Sequence, residues 1–394
     1  MTLQNPNIPE EIRKVASDGT ALRYALMEMA TDPDVIALGR GDPDLPTPAH
    51  IIEAAKRAAQ DGKVAPTPIS GMPALREAIA AKLSTENGIP LDANNIIVTT
   101  GGQEALFLIM QVLLDPGDVV LVPDPRYTSY DQAIASAGGE MVMVPTDHSD
   151  AFDLQPEAVE AAITPKTKAL LIVTPSNPTG GIVTRERLEK IADIAIRHNL
   201  IVISDEIYEK FVFDGHQHFS IASVPGMAER TVTLNGFSKT YAMTGLRVGY
   251  VAAPTNFVEA MAKIKAITTG PAATISQYAS LAAATGPVEP LQDFIQIYTE
   301  RRTAMKEGLN HMGLNFSDPR GAFFFWTNSE PTGIHATQLS YLLLKQGNVL
   351  IFPGTGFGPN WGGYLRISIL QSTEKIREAI VRMQRVVEQY RVGG

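Results

Sequence analysis

Short, unbroken apolar runs alternate with amphipathic stretches through the middle of the chain. Runs at 96–99, 119–122, 140–144, 169–174, 200–204, 231–234 and 248–253 have strand length. Continuous apolar character over so few residues is what a strand covered on both faces requires. Between them, apolar residues recur at helical spacing over 103–114, 130–137, 154–163 and 184–197. This alternation predicts an α/β domain with a mostly parallel sheet between helices. Ligands of such sheets sit beyond the carboxyl ends of the strands, where Gly101, Asn177, Asp205 and Ser238 fall.

The flanks read differently. A helix is expected over 20–29, and Thr47 followed by Pro48 looks like a cap and first helical position. Helical spacing continues over 72–83, 257–267, 275–284, 290–312, 336–344 and 373–390, with strands at 321–326, 349–351 and 364–369. The division expected is a large domain, 45–285, and a smaller α+β domain built from 1–44 and 286–394. Nothing resembles a flexible linker, a repeat or a low-complexity run.

Composition narrows the function. The chain has 394 residues and a net charge of −9, which argues against a general nucleic-acid binder or adsorption to anionic membranes. It has no cysteine, so disulfides, thiolate nucleophiles and Cys-ligated metals are excluded. With no signal-like or bilayer-length apolar segment, a soluble cytoplasmic protein is expected. His216 and His218 share one face of an expected hairpin with nothing to complete a ligand set, so no metal site is expected. Arg301 and Arg302 read as the solvated side of a long helix.

The stretch TVTLNGFSKTYAMTGLRVGYVAA, 231–253, holds a lone lysine, Lys239, between two strand-like runs and beside small residues. An unprotonated, immobilised lysine condenses with aldehydes. Taken alone, a surface lysine in a glycine-containing loop fits as well. Taken with LGRGDPDLPTP (38–48), GMPALREAI (71–79), TTGGQEAL (99–106), PDPRYTSY (123–130), PSNPTGG (175–181), SDEIY (204–208), SKTYAMTGLRVGY (238–250) and LRISI (365–369), the picture changes. This ordered set spans nearly the whole chain. It resembles the class I/II aminotransferases, fold type I enzymes dependent on pyridoxal 5'-phosphate, and most closely the bacterial aspartate and aromatic group.

The resemblance implies specific roles. Lys239, in S-K-x-x-x-x-x-G-x-R, would bond to the cofactor aldehyde and then serve as proton-transfer base. Asp205 would pair with the pyridinium nitrogen, although locally it could equally cap the next turn. Tyr208 and Asn177 would bond the cofactor's phenolic oxygen, and Tyr127 would stack on its ring. Gly101, Gly102 and Gln103 at a helix start, with Ser238 and Arg247, would hold the phosphate. Arg366 would clamp the substrate α-carboxylate, helped by the Gly41 backbone and by Asn177; its alternative is a structural salt bridge. The implied reaction moves an amino group from an L-amino acid, an acidic one such as aspartate or glutamate, to a 2-oxo acid by a ping-pong route. The implied assembly is a homodimer. A β-lyase on the same scaffold, or a non-catalytic binding module, stays open as the alternative.

Two positions depart from the family pattern. Pro66 stands where many relatives carry a tyrosine that reaches the neighbouring subunit's phosphate. Gln103 stands where a lysine often helps bind a distal carboxylate, while Arg40 introduces a charge beside Gly41. Arg40 is therefore a candidate for a second acidic group of the substrate; otherwise it pairs at the surface or the dimer interface.

Overall fold

A computed structural model describes residues 19–390. After a helix, Gly19–Met29, and a first short strand, β1 (Ile36–Ala37), come seven strands that form one sheet. They are β2 (Ile96–Thr99), β3 (Val119–Asp124), β4 (Glu140–Pro145), β5 (Thr167–Val173), β6 (Ile201–Asp205), β7 (Thr231–Gly236) and β8 (Gly249–Ala252). Their spatial order is β2-β8-β7-β6-β5-β3-β4, and β8 alone runs against the other six. The strand alternation sorts side chains between two helical layers. Ala169, Leu171 and Val173 of β5 pack towards Ala105, Leu108 and Ile109 of helix Gly101–Leu113. Leu170 and Ile172 face the other way, onto Leu188, Ile191 and Ala192 of helix Arg185–Arg197. Burial on both faces is why β5 and the other inner strands carry no polar alternation, whereas edge strand β4 is partly exposed.

The carboxyl-terminal part holds a second, antiparallel sheet. Its strands are β9 (Asn315–Ser317), β10 (Phe324–Asn328), β12 (Phe352–Pro353) and β13 (Tyr364–Ser368), preceded in the chain order of the last two by β11 (Val349–Leu350). β11 pairs in parallel with β1, so the amino-terminal segment is stitched to the carboxyl-terminal one. Leu22 and Leu26 of the first helix bury against Trp326, Leu350, Phe352 and Phe357. Helices Glu289–His311 and Thr373–Tyr390 pack on each other behind the second sheet. Among the described residues no helix is long and apolar enough to cross a membrane. Residues 1–18 and 391–394 of the expected smaller domain lie outside the described residues.

Several local expectations need correction. The strand expected at 321–326 begins at Phe324, because Ala322 adopts a left-handed φ of 57° that interrupts the extended run. Thr47 does not cap the helix Ala49–Gln60; its hydroxyl donates instead to the Ala242 carbonyl at 2.7 Å. That bond ties the glycine-containing loop after β1 to the segment following Lys239. Arg301 and Arg302 are buried rather than solvated. Arg301 makes a two-pronged bond to Asp44 at 2.7 and 2.9 Å, and Arg302 bridges Asp214 and Asp318. A periodic reading cannot detect this, because the acids come from distant loops.

Candidate active site

A cavity of about 330 Å3 opens over the carboxyl edge of the large sheet. β2, β3, β5, β6 and β7 all end there, and antiparallel β8 starts there. Of the residues singled out in the sequence, Gly41, Gly102, Gln103, Tyr127, Asn177, Asp205, Tyr208, Ser238, Lys239, Arg247 and Arg366 line this one cavity. Gly101 lies behind its wall, and Arg40 does not reach it.

Lys239 follows β7. Its Nζ donates to the Gly41 carbonyl at 2.9 Å and lies 3.2 Å from Asp42 Oδ1. Burial lowers its pKa, outweighing the opposite pull of Asp42, and the Arg366 and Arg247 charges add to the lowering. The amine is thereby brought towards the neutral form that a nucleophile or base needs.

Asp205 closes β6, buried. Desolvation pushes its pKa up to about 6, although the Tyr130 hydroxyl donates to Oδ2 at 2.8 Å and the Ile207 N–H to Oδ1 at 3.2 Å. The second bond is the turn-capping role open from the sequence; the same carboxylate both caps the turn and faces the cavity. Tyr208 stands edge-on to Phe323 and Phe324, with ring centroids 5.6 and 5.9 Å away. Burial raises its pKa, so its hydroxyl keeps its proton and can donate.

The phosphate-like end is built from backbone. Helix Gly101–Leu113 points its start at the cavity, and Thr100 makes no side-chain cap bond there. Its first N–H groups lack intrahelical acceptors and are available to an anion. Gly101 has φ +76°, and a Cβ on it would meet the Arg247 guanidinium at 2.5 Å. A Cβ on Gly249 would meet Gly101 C at 2.8 Å and Gly102 N at 2.9 Å. Only glycine at both places lets Arg247 and the helix start converge. Gln103 donates to the Tyr127 hydroxyl at 2.7 Å and to Ser129 Oγ at 3.3 Å, which steadies the aromatic rim.

Arg366 lies on β13, buried. It donates to Asn177 Oδ1 at 2.9 Å and to the Gly39 carbonyl. Its guanidinium sits over Phe324 and Phe357, 4.4 and 4.5 Å from the ring centroids. Desolvation brings its pKa down to about 9, with the Arg23 charge the next contribution. Among the described residues it has no carboxylate partner, so the structural salt bridge open from sequence is not made.

Of the two readings open for Arg40, this arrangement fits the surface or interface one: the residue is exposed and outside the cavity wall, while the Gly41 backbone is presented to Lys239. Several wall residues escaped the sequence reading, among them Asp42, which accepts from Lys239, and two more with a part in the chemistry. Tyr130, the partner of Asp205, lies three residues past Tyr127 at the start of helix Ser129–Ser136, and that spacing was its only signal. Arg23 comes from the first helix, where one charge beside buried Leu22 and Leu26 was the only hint.

His218 is not a surface residue. Its Nε2 lies 3.0 Å from buried Glu206, in a trio with Glu209 whose ligand-type atoms fall within 4.8 Å of one another. Protein donors already serve these carboxylates: Ser204 and Ser220 bond Glu206, while Lys82 and Asn87 bond Glu209. Against the upward push of burial, Lys82 and then His218 bring the Glu209 pKa down to about 2. Hydrogen-bonded in this way, the trio braces the segment that carries Asp205 and Tyr208.

Comparisons with known proteins agree with this geometry. The model of the family "Aminotransferase class I and II" matches residues 33–383. The aspartate aminotransferase of Pyrococcus abyssi is 41% identical over 384 residues, 97% of this chain and 96% of that protein. The aspartate/prephenate aminotransferase of Thermus thermophilus is 40% identical, covering 90% of this chain and 91% of its own. The solved aromatic aminotransferase of Pyrococcus horikoshii superposes with a TM-score of 0.89 at 42% identity, over 93% of this chain and 98% of that one. Relatives of this kind do not favour the β-lyase or binding-module alternatives. The fold, the clustering of the motif residues around one cavity and these matches together show that the chain belongs to the class I and II aminotransferases, a family that uses pyridoxal phosphate.

Proposed function

We propose that this aminotransferase takes an acidic L-amino acid as amino donor, with the α-carboxylate on Arg366 and with Lys239 as the proton-transfer base. The observation that carries this reading is a buried guanidinium without an acid partner, in the same cavity as a lysine whose pKa is lowered. An unmatched buried cation is costly unless a ligand anion completes it.

The wall fits the family's cofactor group by group. Asp205 suits a ring nitrogen, Tyr127 a ring face, and Asn177 and Tyr208 a phenolic oxygen. Ser238, Arg247 and the backbone of 101–103 suit a phosphate. Bound there, pyridoxal phosphate supplies an aldehyde that takes up nitrogen and an electron-poor ring that stabilises charge at the substrate Cα. The remaining work falls to the chain. Asp205, ionised, keeps the ring nitrogen protonated. Lys239 Nζ, free as an amine once substrate is bound, would take up the Cα proton and give it back from the same side of the cavity. Arg366 holds the carboxylate so that the Cα–H bond faces Lys239, and the Gly41 segment screens the amine from water.

Rapid-mixing absorbance measurements on the cofactor-loaded protein, against a panel of amino acids, test this. Aspartate or glutamate should convert the cofactor fastest. Conversion by apolar amino acids alone would contradict the acidic preference.

Tyr130→Phe gives a narrower test. Removing the hydroxyl takes away a bond that lowers the Asp205 pKa, so the carboxyl should ionise about one pH unit higher. The apoprotein should then bind cofactor about fivefold more weakly near pH 6, with the deficit closing by pH 8, where both proteins are ionised. A deficit independent of pH would show that Tyr130 acts otherwise.

We further propose a homodimer and a division into 45–285 and a smaller domain of both termini. The β1–β11 pairing supports the division. The dimer is supported by an apolar groove lined by Val64, Pro66 and Ala272, where Val64 is 68% exposed. Sedimentation equilibrium should give twice the chain mass; a monomer at micromolar concentration would contradict it.

A further inference from the structure

We propose that Arg23 is the specificity-determining residue of the substrate pocket, binding the side-chain carboxylate of a dicarboxylic amino or 2-oxo acid while Arg366 holds the α-carboxylate. This rests on the aminotransferase reading above and names the chemistry of its second anionic subsite.

Arg23 and Arg366 arrive from opposite ends of the chain and share two aromatic rings. The Arg23 guanidinium is 5.3 Å from the ring centroids of both Phe352 and Phe357. That of Arg366 is 5.8 Å from Phe352 and 4.5 Å from Phe357. Common rings bring the two cations within the span of a four- or five-carbon dicarboxylate with a charge-assisted bond at each end. Both line the cavity that holds Lys239.

Neither is matched by an acid. Arg126, Lys265, Arg301 and Arg302 are buried like Arg366, and each is paired with a carboxylate, whereas Arg23 is half-buried. Among the described residues Arg23 makes no ion pair, and the Nε atoms of both Arg23 and Arg366 are buried without a hydrogen-bond partner. Two like charges over the same rings also repel, and burial lowers the pKa of each. A fold keeps such a pair where a ligand with two negative groups offsets the cost.

The charge balance of the cavity points the same way. Its acids are Asp42, engaged with Lys239, and Asp205. With the cofactor in place, Arg247 is matched by phosphate and Asp205 by the ring nitrogen. Among the described residues, Arg23 and Arg366 are then the wall cations left facing neither the phosphate nor an acid partner. A monocarboxylate neutralises one of them; a dicarboxylate neutralises both. The other candidates for this subsite are otherwise disposed, since Gln103 is tied to Tyr127 and Ser129 and Arg40 is exposed outside the wall.

The test compares cofactor-loaded parent, Arg23→Gln, Arg23→Lys and Arg40→Ala proteins in two ways. Steady-state kinetics would use aspartate and glutamate against alanine and phenylalanine, and calorimetry would follow succinate against propionate. Arg23→Gln should lower kcat/KM for the acidic pair about 30- to 300-fold, mainly through KM, while alanine and phenylalanine change by less than about threefold. Succinate affinity should fall in parallel and propionate affinity should hold. Arg23→Lys, which keeps the charge and loses the planar fork, should recover part of both losses. Equal loss on all four amino acids, unchanged succinate affinity, or selective loss in Arg40→Ala instead would overturn the assignment. A parent protein that transaminates apolar amino acids while Arg23→Gln is indifferent defeats the role of Arg23 alone; a parent inactive on every amino acid defeats the aminotransferase reading itself.

Discussion

Lys239→Ala should lower turnover at least about 10^4-fold while leaving dicarboxylate binding nearly intact. The lysine sits where no other base can replace it. Asp42, its nearest acid, is exposed and already accepts from Nζ, and the remaining cations at the wall are arginines that do not give up their protons at working pH. Lys239→Arg should therefore be as inactive as Lys239→Ala although it keeps the charge, which separates proton transfer from electrostatics. Succinate affinity should stay within a few-fold of the parent in both, because Arg366 and its contacts to Asn177 and Gly39 do not run through Lys239. Single-turnover absorbance reads the first effect and calorimetry the second. Arg at 239 restoring a tenth or more of the parent rate would remove the lysine from the chemistry.

Asp205→Asn should move activity and apoprotein stability in opposite directions. Turnover should fall about 10^3-fold, because a neutral amide cannot keep a ring nitrogen protonated. Stability follows from the Asp205 pKa, raised from 3.8 to about 6, chiefly by burial. Between those values the unfolded chain has lost the proton that the folded chain still holds, so stability falls as pH rises. Below pH 4 both states are protonated and no penalty exists. Above pH 6 the full penalty is present, on the order of 3 kcal/mol at 1.36 kcal/mol per pH unit. An amide carries no such charge and can still accept from Tyr130, but it gives up one of the two bonds that the carboxylate accepts. The apo variant should thus gain about 1–3 kcal/mol at pH 8, vanishing near pH 4, as read by urea unfolding. A variant less stable than the parent at pH 8 would show that the buried carboxylate is fully compensated without cofactor.

The opposed effects show what the site is: a set of groups arranged for a ligand, with Arg366 and Arg23 left without an acid partner by the described residues. Lys239, Asp205, Arg366 and Arg23 all have pKa values displaced by burial. The structural ion pairs elsewhere, such as Lys265 with Glu104, close on themselves.

Much of this was legible before any coordinates. The sheet strands betray themselves because burial on both faces demands continuous apolar runs, and helix Thr373–Tyr390 begins and ends where its amphipathic period does. The motif lysine, aspartate and arginines were readable as members of an ordered motif set resembling a known family, and the fold gathers them around one cavity. What stayed hidden depends on contacts between remote segments. Arg23 stands more than three hundred residues from Phe352, and nothing near it in the chain records that meeting. Arg301 looks solvated until Asp44 is brought against it. His218 becomes internal only because Glu206, Ser204 and Ser220 converge on one spot. Adjacency to Gly41 could not separate the two readings of Arg40, because sequence neighbours need not face the same side.

The most direct measurement is chemical. Borohydride reduction of the cofactor-loaded protein, followed by digestion and mass spectrometry, should leave the pyridoxyl mass on the peptide containing Lys239 and on no other lysine. Label distributed over surface lysines, or absent from Lys239, would contradict the assignment of that amine as the cofactor's anchor.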